Sequence, residues 1–536
     1  MASWMTPGVP FDLVHAVQGL REGTLNPEDL LHDCLATIAT REPAVGAWAS
    51  LAADDALARA RNAESAGNAE NAESAGNSGN AGIAGNAGIA GNAGNAGIAG
   101  NAGNAGNAGN AGSARCAVGP LSGVPIAVKD IIDVQGMVTG CNSPIYATHR
   151  ANRDATIVTR ARAAGAIVLG KTTTQEFATR GNMPATRNPH CADHTPGGSS
   201  SGSAAAVAAG MVPLALSTQT AGSIVRPASY CGIVGFKPSF GWMPLDGVKT
   251  IAPSLDTLGL HTRTVADAWL AFAALKAKDS LTGTESRGDL NPGVNPNAQV
   301  GFNPRVDPVK QNGRDATDGL DGLRGVDGLR GVDALIGKPL SVGIVRDPYW
   351  ALAEPATRQA MELATTWLRA AGLKVVALAL PSGFERLGFA LDTISDAEAC
   401  ISLAPEWQNH RDQLSTGVQT KIARGLALTQ TAVTAAYALA ESCRVDRHLL
   451  FETCDFVLTP SAPGYAPLLS AGDPGDSSFS KLWTILGTPS VGVPIPLPGP
   501  LPIGLQVVCD TGQDMTALQC AAAIEAIFFP TRRRLL

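Results

Sequence analysis

The sequence predicts an α/β fold, with helices packed on a largely parallel or mixed sheet. Three observations point there. Short apolar runs alternate with helix-period segments over most of the chain. Hydrophobic residues make up 45% of 536 positions, enough for a large core. Two low-complexity stretches interrupt that alternation and divide the chain.

The elements follow in order. Residues 11–62 read as helical. Asn26, Pro27 and Asp29 supply a capping side chain, a first-turn proline and a first-turn acid. Leu30, Leu31, Cys34, Leu35 and Ile38 then recur at helical spacing. From Ala63 to Arg115 the chain becomes Asn-Ala-Gly repeats, with glycine at every third position from Gly76 to Gly112. The period is that of collagen, but no proline stiffens it. Such a segment buries too little surface to offset its ordering entropy, and is expected to be a disordered insertion. Val124–Val128 reads as a strand, Thr156–Ala164 as a helix, Ala166–Leu169 as a strand, and a helix begins at Ala204. A second biased stretch contains Gly-Leu-Arg-Gly-Val-Asp twice, at 322–327 and 328–333. Ser341–Val345 and Leu373–Ala379 read as strands around a helix at Ala356–Ala371. The expected organisation is an N-terminal helical part at 1–62 and the repeat insertion at 63–115. A core follows at 116–280, a flexible insertion at 281–335, and the remainder of the same domain at 336–536.

Composition narrows the function classes. The net charge of −6, without a long run of either sign, argues against nucleic-acid or membrane-surface binding. No signal-peptide pattern opens the chain. The most apolar stretch, Ala204–Leu216, is broken by Gly210 and Pro213 and is too short to span a bilayer. Ten scattered cysteines form no CxxC pair, which suits reduced thiols in a cytoplasm. His149, His190, His194 and His261 have no ligand partner at metal spacing, so neither metal nor organic cofactor is expected.

Two familiar patterns match in letters and fail in physics. Gly165 to Thr172 fits the phosphate-binding loop, yet its interior Ala-Ile-Val-Leu is itself a strand, and a helix precedes it. Gly198-Ser199-Ser200-Ser201-Gly202 fits a nucleophile elbow, but a polar loop, Ala192 to Gly197, stands where the buried strand should be.

The informative region is 195–240. A Gly/Ser loop at Thr195–Gly202 opens a helix of small residues. A strand then leads to a second turn, Thr220-Ala221-Gly222-Ser223. Small residues let backbone approach a ligand, and two loops rich in hydroxyls and N–H groups suit an oxyanion. Elsewhere stand Pro120-Leu-Ser-Gly-Val-Pro-Ile-Ala-Val-Lys129-Asp130, Gly165–Phe177, Arg187-Asn188-Pro189 and Leu255-Asp256-Thr257-Leu258-Gly259. Asp455–Pro460 and Leu486–Pro494 complete the set. Together these segments resemble the amidase signature family over most of the chain outside the two insertions.

The resemblance implies a large mixed sheet flanked by helices on both faces. It implies an amidohydrolase that converts a small-molecule carboxylic amide to acid and ammonia or amine. Its catalytic triad falls on Lys129, Ser199 and Ser223. Ser223 takes the nucleophile's place, Ser199 the bridging place on a cis peptide, and Lys129 the base's. The N–H groups of Thr220, Ala221, Gly222 and Ser223 take the place of the oxyanion hole. A serine hydroxyl needs a base, and a lysine serves only when burial lowers its pKa. Two departures stand out. Gln219-Thr-Ala-Gly-Ser replaces the frequent Asp-x-Gly-Gly-Ser, and the arginine that often follows Gly-Ser-Ile stands one place later, at Arg226. That displacement argues against a glutaminase role. Two other readings stay open: the amidase subunit of an amidotransferase or multi-subunit hydrolase, and a non-catalytic binding protein with this fold. A homodimer is compatible with either enzyme reading.

Overall fold

A computed structural model of the chain describes residues 12–63, 119–276, 340–346 and 348–530. Most of the two expected insertions lies outside these residues. The framework is one 11-stranded sheet in the order β1-β3-β2-β4-β6-β5-β10-β11-β9-β7-β8. Its strands are β1 Trp48–Leu51, β2 Pro125–Lys129, β3 Ile167–Thr172, β4 Leu214–Gln219, β5 Val234–Lys237 and β6 Thr257–Thr262. The remaining five are β7 Ser341–Ile344, β8 Lys374–Ala377, β9 Phe456–Pro460, β10 Ser490–Ile495 and β11 Ile503–Val508. The sheet is mixed. β3, β2 and β4 run parallel, as do β9, β7 and β8, and an antiparallel block joins the two groups.

Both faces are covered, which explains why the strands read as unbroken apolar runs. Side chains alternate across a strand. Ile126, Val128, Leu214 and Leu216 enter one core, while Ala127, Ala215, Ile167 and Leu169 enter another on the opposite face. The first core packs against the Val265–Leu275 and Asp514–Phe528 helices, the second against Ser201–Ala208 and Val225–Cys231. Each fully buried Leu or Ile contributes about 1.5–3 kcal/mol, so both cores are substantial.

The expected elements appear with boundaries moved by a few residues. The Pro27–Val45 helix starts as its sequence requires: Asn26 Oδ1 accepts from Asp29 N at 2.7 Å, with Pro27 at the first position. Residues 11–62 are not helical throughout, however. β1 lies among them and pairs antiparallel with the edge of β3. The segment at Gly165 is the helix-to-strand connection the residue pattern required, with β3 occupying the interior of the rejected phosphate-loop motif.

No helix among the described residues is long and apolar enough to cross a membrane. No group of residues among them could hold a metal ion. The nine described cysteines are free thiols.

Candidate active site

β2 and β4 are parallel neighbours, and the functional side chains lie just beyond their carboxyl ends, where open α/β sheets place ligands. β2 ends in Lys129, which is fully buried. Its ammonium nitrogen lies 2.8 Å from Ser199 Oγ and 2.9 Å from Thr218 Oγ1. Neighbouring Asp130 is not its counter-ion. That carboxylate pairs with Lys171 Nζ at 3.0 Å. No carboxylate within ion-pair distance holds the charge on Lys129 among the described residues. Burial brings its pKa down to about 7; nearby Arg226 pushes the same way, and the field of Asp256 opposes.

Ser199 stands in the loop before the Ser201–Ala208 helix. The peptide joining Gly198 to Ser199 is cis. Three groups hold this loop. Gln175 N donates to Ser199 O at 3.2 Å. Ser201 Oγ donates to Gly197 O at 2.7 Å. Arg226 donates through one terminal nitrogen to Gly198 O and through the other to Gly475 O. The small-residue helix lets β3 and the loop before it come close. A Cβ on Gly202 would lie 2.2 Å from Ala47 O and 2.5 Å from Thr173 N.

The second turn, 220–223, joins β4 to the Val225–Cys231 helix. Gln219 organises it. Its Oε1 accepts from Ile224 N at 2.9 Å and Val225 N at 3.1 Å. Its Nε2 donates to Thr484 Oγ1 at 3.0 Å, and that hydroxyl in turn donates to Ala221 O at 3.0 Å. The Thr220 hydroxyl donates to Asp256 Oδ1. Asp256 Oδ2 accepts from Ile251 N and Ala252 N, and burial raises this carboxyl to about 6. The backbone N–H groups of Thr220, Ala221, Gly222 and Ser223 have no acceptor among the described residues. They are thus available to an external oxygen.

Ser223, Thr220 and Ala221 line a cavity of about 520 Å³. The Ser223 hydroxyl has no hydrogen bond among the described residues. Lys129 and Ser199 are joined directly, whereas Ser223 stands apart from that bond at the cavity wall. Ser200 is fully buried and donates to Thr218 O at 3.2 Å, which removes it from contact with a substrate.

Sequence reasoning misses several residues. Thr218 is absent from the expected set although it binds Lys129. Gln219 enters there only as a departure from a pattern, whereas its amide pins the turn. Arg226 is buried, and both its terminal nitrogens are occupied by backbone carbonyls, so it braces two loops. The remote cavity wall comes from Leu387–Ser402 and Thr416–Leu426, two helices with no motif of their own.

Comparison with known proteins agrees with this geometry. The sequence model of the family described as Amidase matches residues 101–300 and 335–518. The chain is 30% identical over 540 residues to the amidase-type component of the glutamyl-tRNA(Gln) amidotransferase of Symbiobacterium thermophilum, covering 94% of each. It is 32% identical over 451 residues to the same component from Salinispora tropica, covering 77% of this chain and 85% of that one. Its fold is similar to that of the native peptide amidase from Stenotrophomonas maltophilia. The TM-score is 0.71 at 25% identity, over 97% of this chain and 98% of that one.

Proposed function

Because this chain belongs to the amidase family, we propose that it hydrolyses a carboxylic amide through an acyl-enzyme on Ser223. The observation that carries the reading is the Lys129–Ser199 hydrogen bond, made by a lysine that is buried without a carboxylate partner. With its pKa near 7, Lys129 is substantially neutral at physiological pH and can accept a proton. Ser199 then acts as relay: it gives its proton to Lys129 Nζ and takes one from Ser223 as that oxygen attacks the carbonyl carbon. The carbonyl oxygen becomes an oxyanion and meets the free N–H groups of the 220–223 turn. Such preorganised donors are worth about 3–4 kcal/mol each when removed from comparable sites. The proton returns along the same path to the leaving nitrogen, the C–N bond breaks, and water later releases the acid. Gln219 sustains the turn in place of the family's frequent aspartate, so the backbone donors survive that departure.

Fluorophosphonate labelling with peptide mass spectrometry tests the assignment. An adduct is expected on Ser223. Ser223→Ala should abolish it, Ser199→Ala should slow it strongly, and Ser200→Ala should do least. An adduct on residues 197–203 would overturn the assignment.

A second reading is an amidotransferase component, favoured by the mutual coverage with the Symbiobacterium thermophilum protein. The engagement of both terminal nitrogens of Arg226 weighs against its use on a glutamine carboxylate. Ammonia release from glutamine by the isolated chain, compared with release from simple amides, separates the two.

A further inference from the structure

The cavity beside Ser223 is cationic in an acidic protein. Arg180, Arg226, Lys421, Arg424 and Lys481 line it, against Asp392 and Asp396, whereas the whole chain carries −6. The pairings show where positive charge is left over. Lys481 is matched by Asp392 at 2.7 Å. Asp396 alone answers two cations: Lys421 Nζ at 2.8 Å and Arg424, which grips both carboxylate oxygens at 2.7 and 3.0 Å. Arg226 is occupied by backbone carbonyls. The Arg180 side chain has no hydrogen bond or ion pair among the described residues. It faces the same cavity as Arg226, so two guanidinium charges repel across it.

Arg180 is held there by a built loop. Phe177 and Ala178 take positive φ, 49° and 56°, which non-glycine residues adopt only where surrounding structure enforces it. The buried Glu176 carboxylate fastens the loop, accepting from Ser143 Oγ at 3.1 Å and from Ser415 N at 3.2 Å. A Cβ on Gly417 would lie 1.9 Å from Arg180 O, so the Thr416–Leu426 helix presses directly on the Arg180 backbone.

The geometry points to an anion subsite at Arg180, supported by the Lys421–Asp396–Arg424 cluster, that selects amides whose acyl portion ends in a carboxylate. The inference rests on the amidohydrolase reading above. The acyl portion is the part held through both attack and deacylation, so an anchor on it acts in both half-reactions. A planar guanidinium grips a carboxylate through two parallel N–H bonds.

The test compares the monoamides of succinate, glutarate and adipate with butyramide, pentanamide and hexanamide. Each pair differs by a carboxylate in place of a methyl group. The better carboxylated member should exceed its neutral partner in kcat/KM by about 10- to 100-fold, the range of a charged hydrogen-bonding contact. Arg180→Met should collapse that ratio through KM. Arg180→Lys should retain part of it, and added salt should reduce it. A ratio near one at every chain length, or a ratio that Arg180→Met leaves unchanged, overturns the inference. So does an enzyme whose Ser223 takes the probe yet cleaves neither series. Failure of Ser223 to take the probe would instead defeat the amidohydrolase reading itself.

Discussion

Replacing Lys129 with methionine should stabilise the protein while destroying its activity, and the stabilisation should fade as pH rises. The side chain is fully buried and its pKa falls from 10.5 to about 7. Between those values the unfolded chain carries a proton on Lys129 that the folded chain does not. The unfolded state binds more protons, so the stability of the wild-type protein rises with pH through this window, by about 1.4 kcal/mol per unit. At pH 7 the full depression amounts to about 5 kcal/mol against the fold. Methionine removes that penalty and fills similar volume. It also forfeits the hydrogen bonds to Ser199 and Thr218, at about 1 kcal/mol each, and leaves their hydroxyls short of a partner at about 1–3 kcal/mol each. The variant should therefore be more stable by about 1 kcal/mol or slightly more near pH 7, and less stable than wild type by about pH 9.5. Lys237, also buried and brought to about 7, is common to both proteins and cancels in the difference. The assay is paired denaturant unfolding at pH 7.5, 8.5 and 9.5. A stability difference that stays constant across that range would refute the reasoning, because Lys129 would then keep the same charge folded and unfolded.

Further tests address other parts of the site. The kcat/KM of the wild-type enzyme for an amide should rise about ninefold from pH 6 to pH 8, since the base form of a group with pKa near 7 grows from about a tenth to about nine-tenths; a profile flat over that range would remove Lys129 as the base. Lys129→Ala should reduce amide hydrolysis more than hydrolysis of the matching ester, because an alkoxide leaves with less need of a proton; equal losses would confine the lysine to activating the nucleophile. Gln219→Leu strips the caps from Ile224 N and Val225 N, and should cut kcat at least tenfold with a smaller change in KM; parallel transfer of the whole effect to KM would contradict its role in shaping the oxyanion turn. Gly202→Ala forces a Cβ onto Ala47 O and Thr173 N, and should cost about 1–3 kcal/mol in unfolding experiments; a neutral result would mean the helix shifts freely.

The part of this molecule legible in its residues is the part built from local rules. Asn26-Pro27 starts a helix because capping needs only neighbours in sequence, and β2, β3 and β4 are visible because sheet strands covered on both faces must be apolar throughout. β1 is not visible in this way, because Trp48-Ala-Ser-Leu51 is four residues long, half-exposed and flanked by helices. Only its pairing with β3 makes it a strand. The strand order is a long-range property that no local pattern encodes. At the site, Lys129, Ser199 and the 220–223 turn sit within recognisable motifs. Thr218 does not announce itself, since one threonine in a strand has no local signal for what lies above the next strand's end. Arg180, Asp396, Lys421 and Arg424 converge from segments more than 200 residues apart, through packing of helices against a loop.

That division of the cavity has a consequence for how such an enzyme diversifies. The proposed bond-breaking groups are mounted on the ends of β2 and β4 and on the turns attached to them. The opposite wall, with Asp396, Lys421 and Arg424, rides on the Leu387–Ser402 and Thr416–Leu426 helices, which pack chiefly on each other and on neighbouring helices. Substitutions on those helices can recast the size and charge of the chamber without disturbing the sheet. Mutational drift in one half is buffered from the other, so a lineage can exchange substrates while its chemistry stays fixed. A library confined to the helical wall should therefore yield folded proteins with altered selectivity far more often than one aimed at the strand ends.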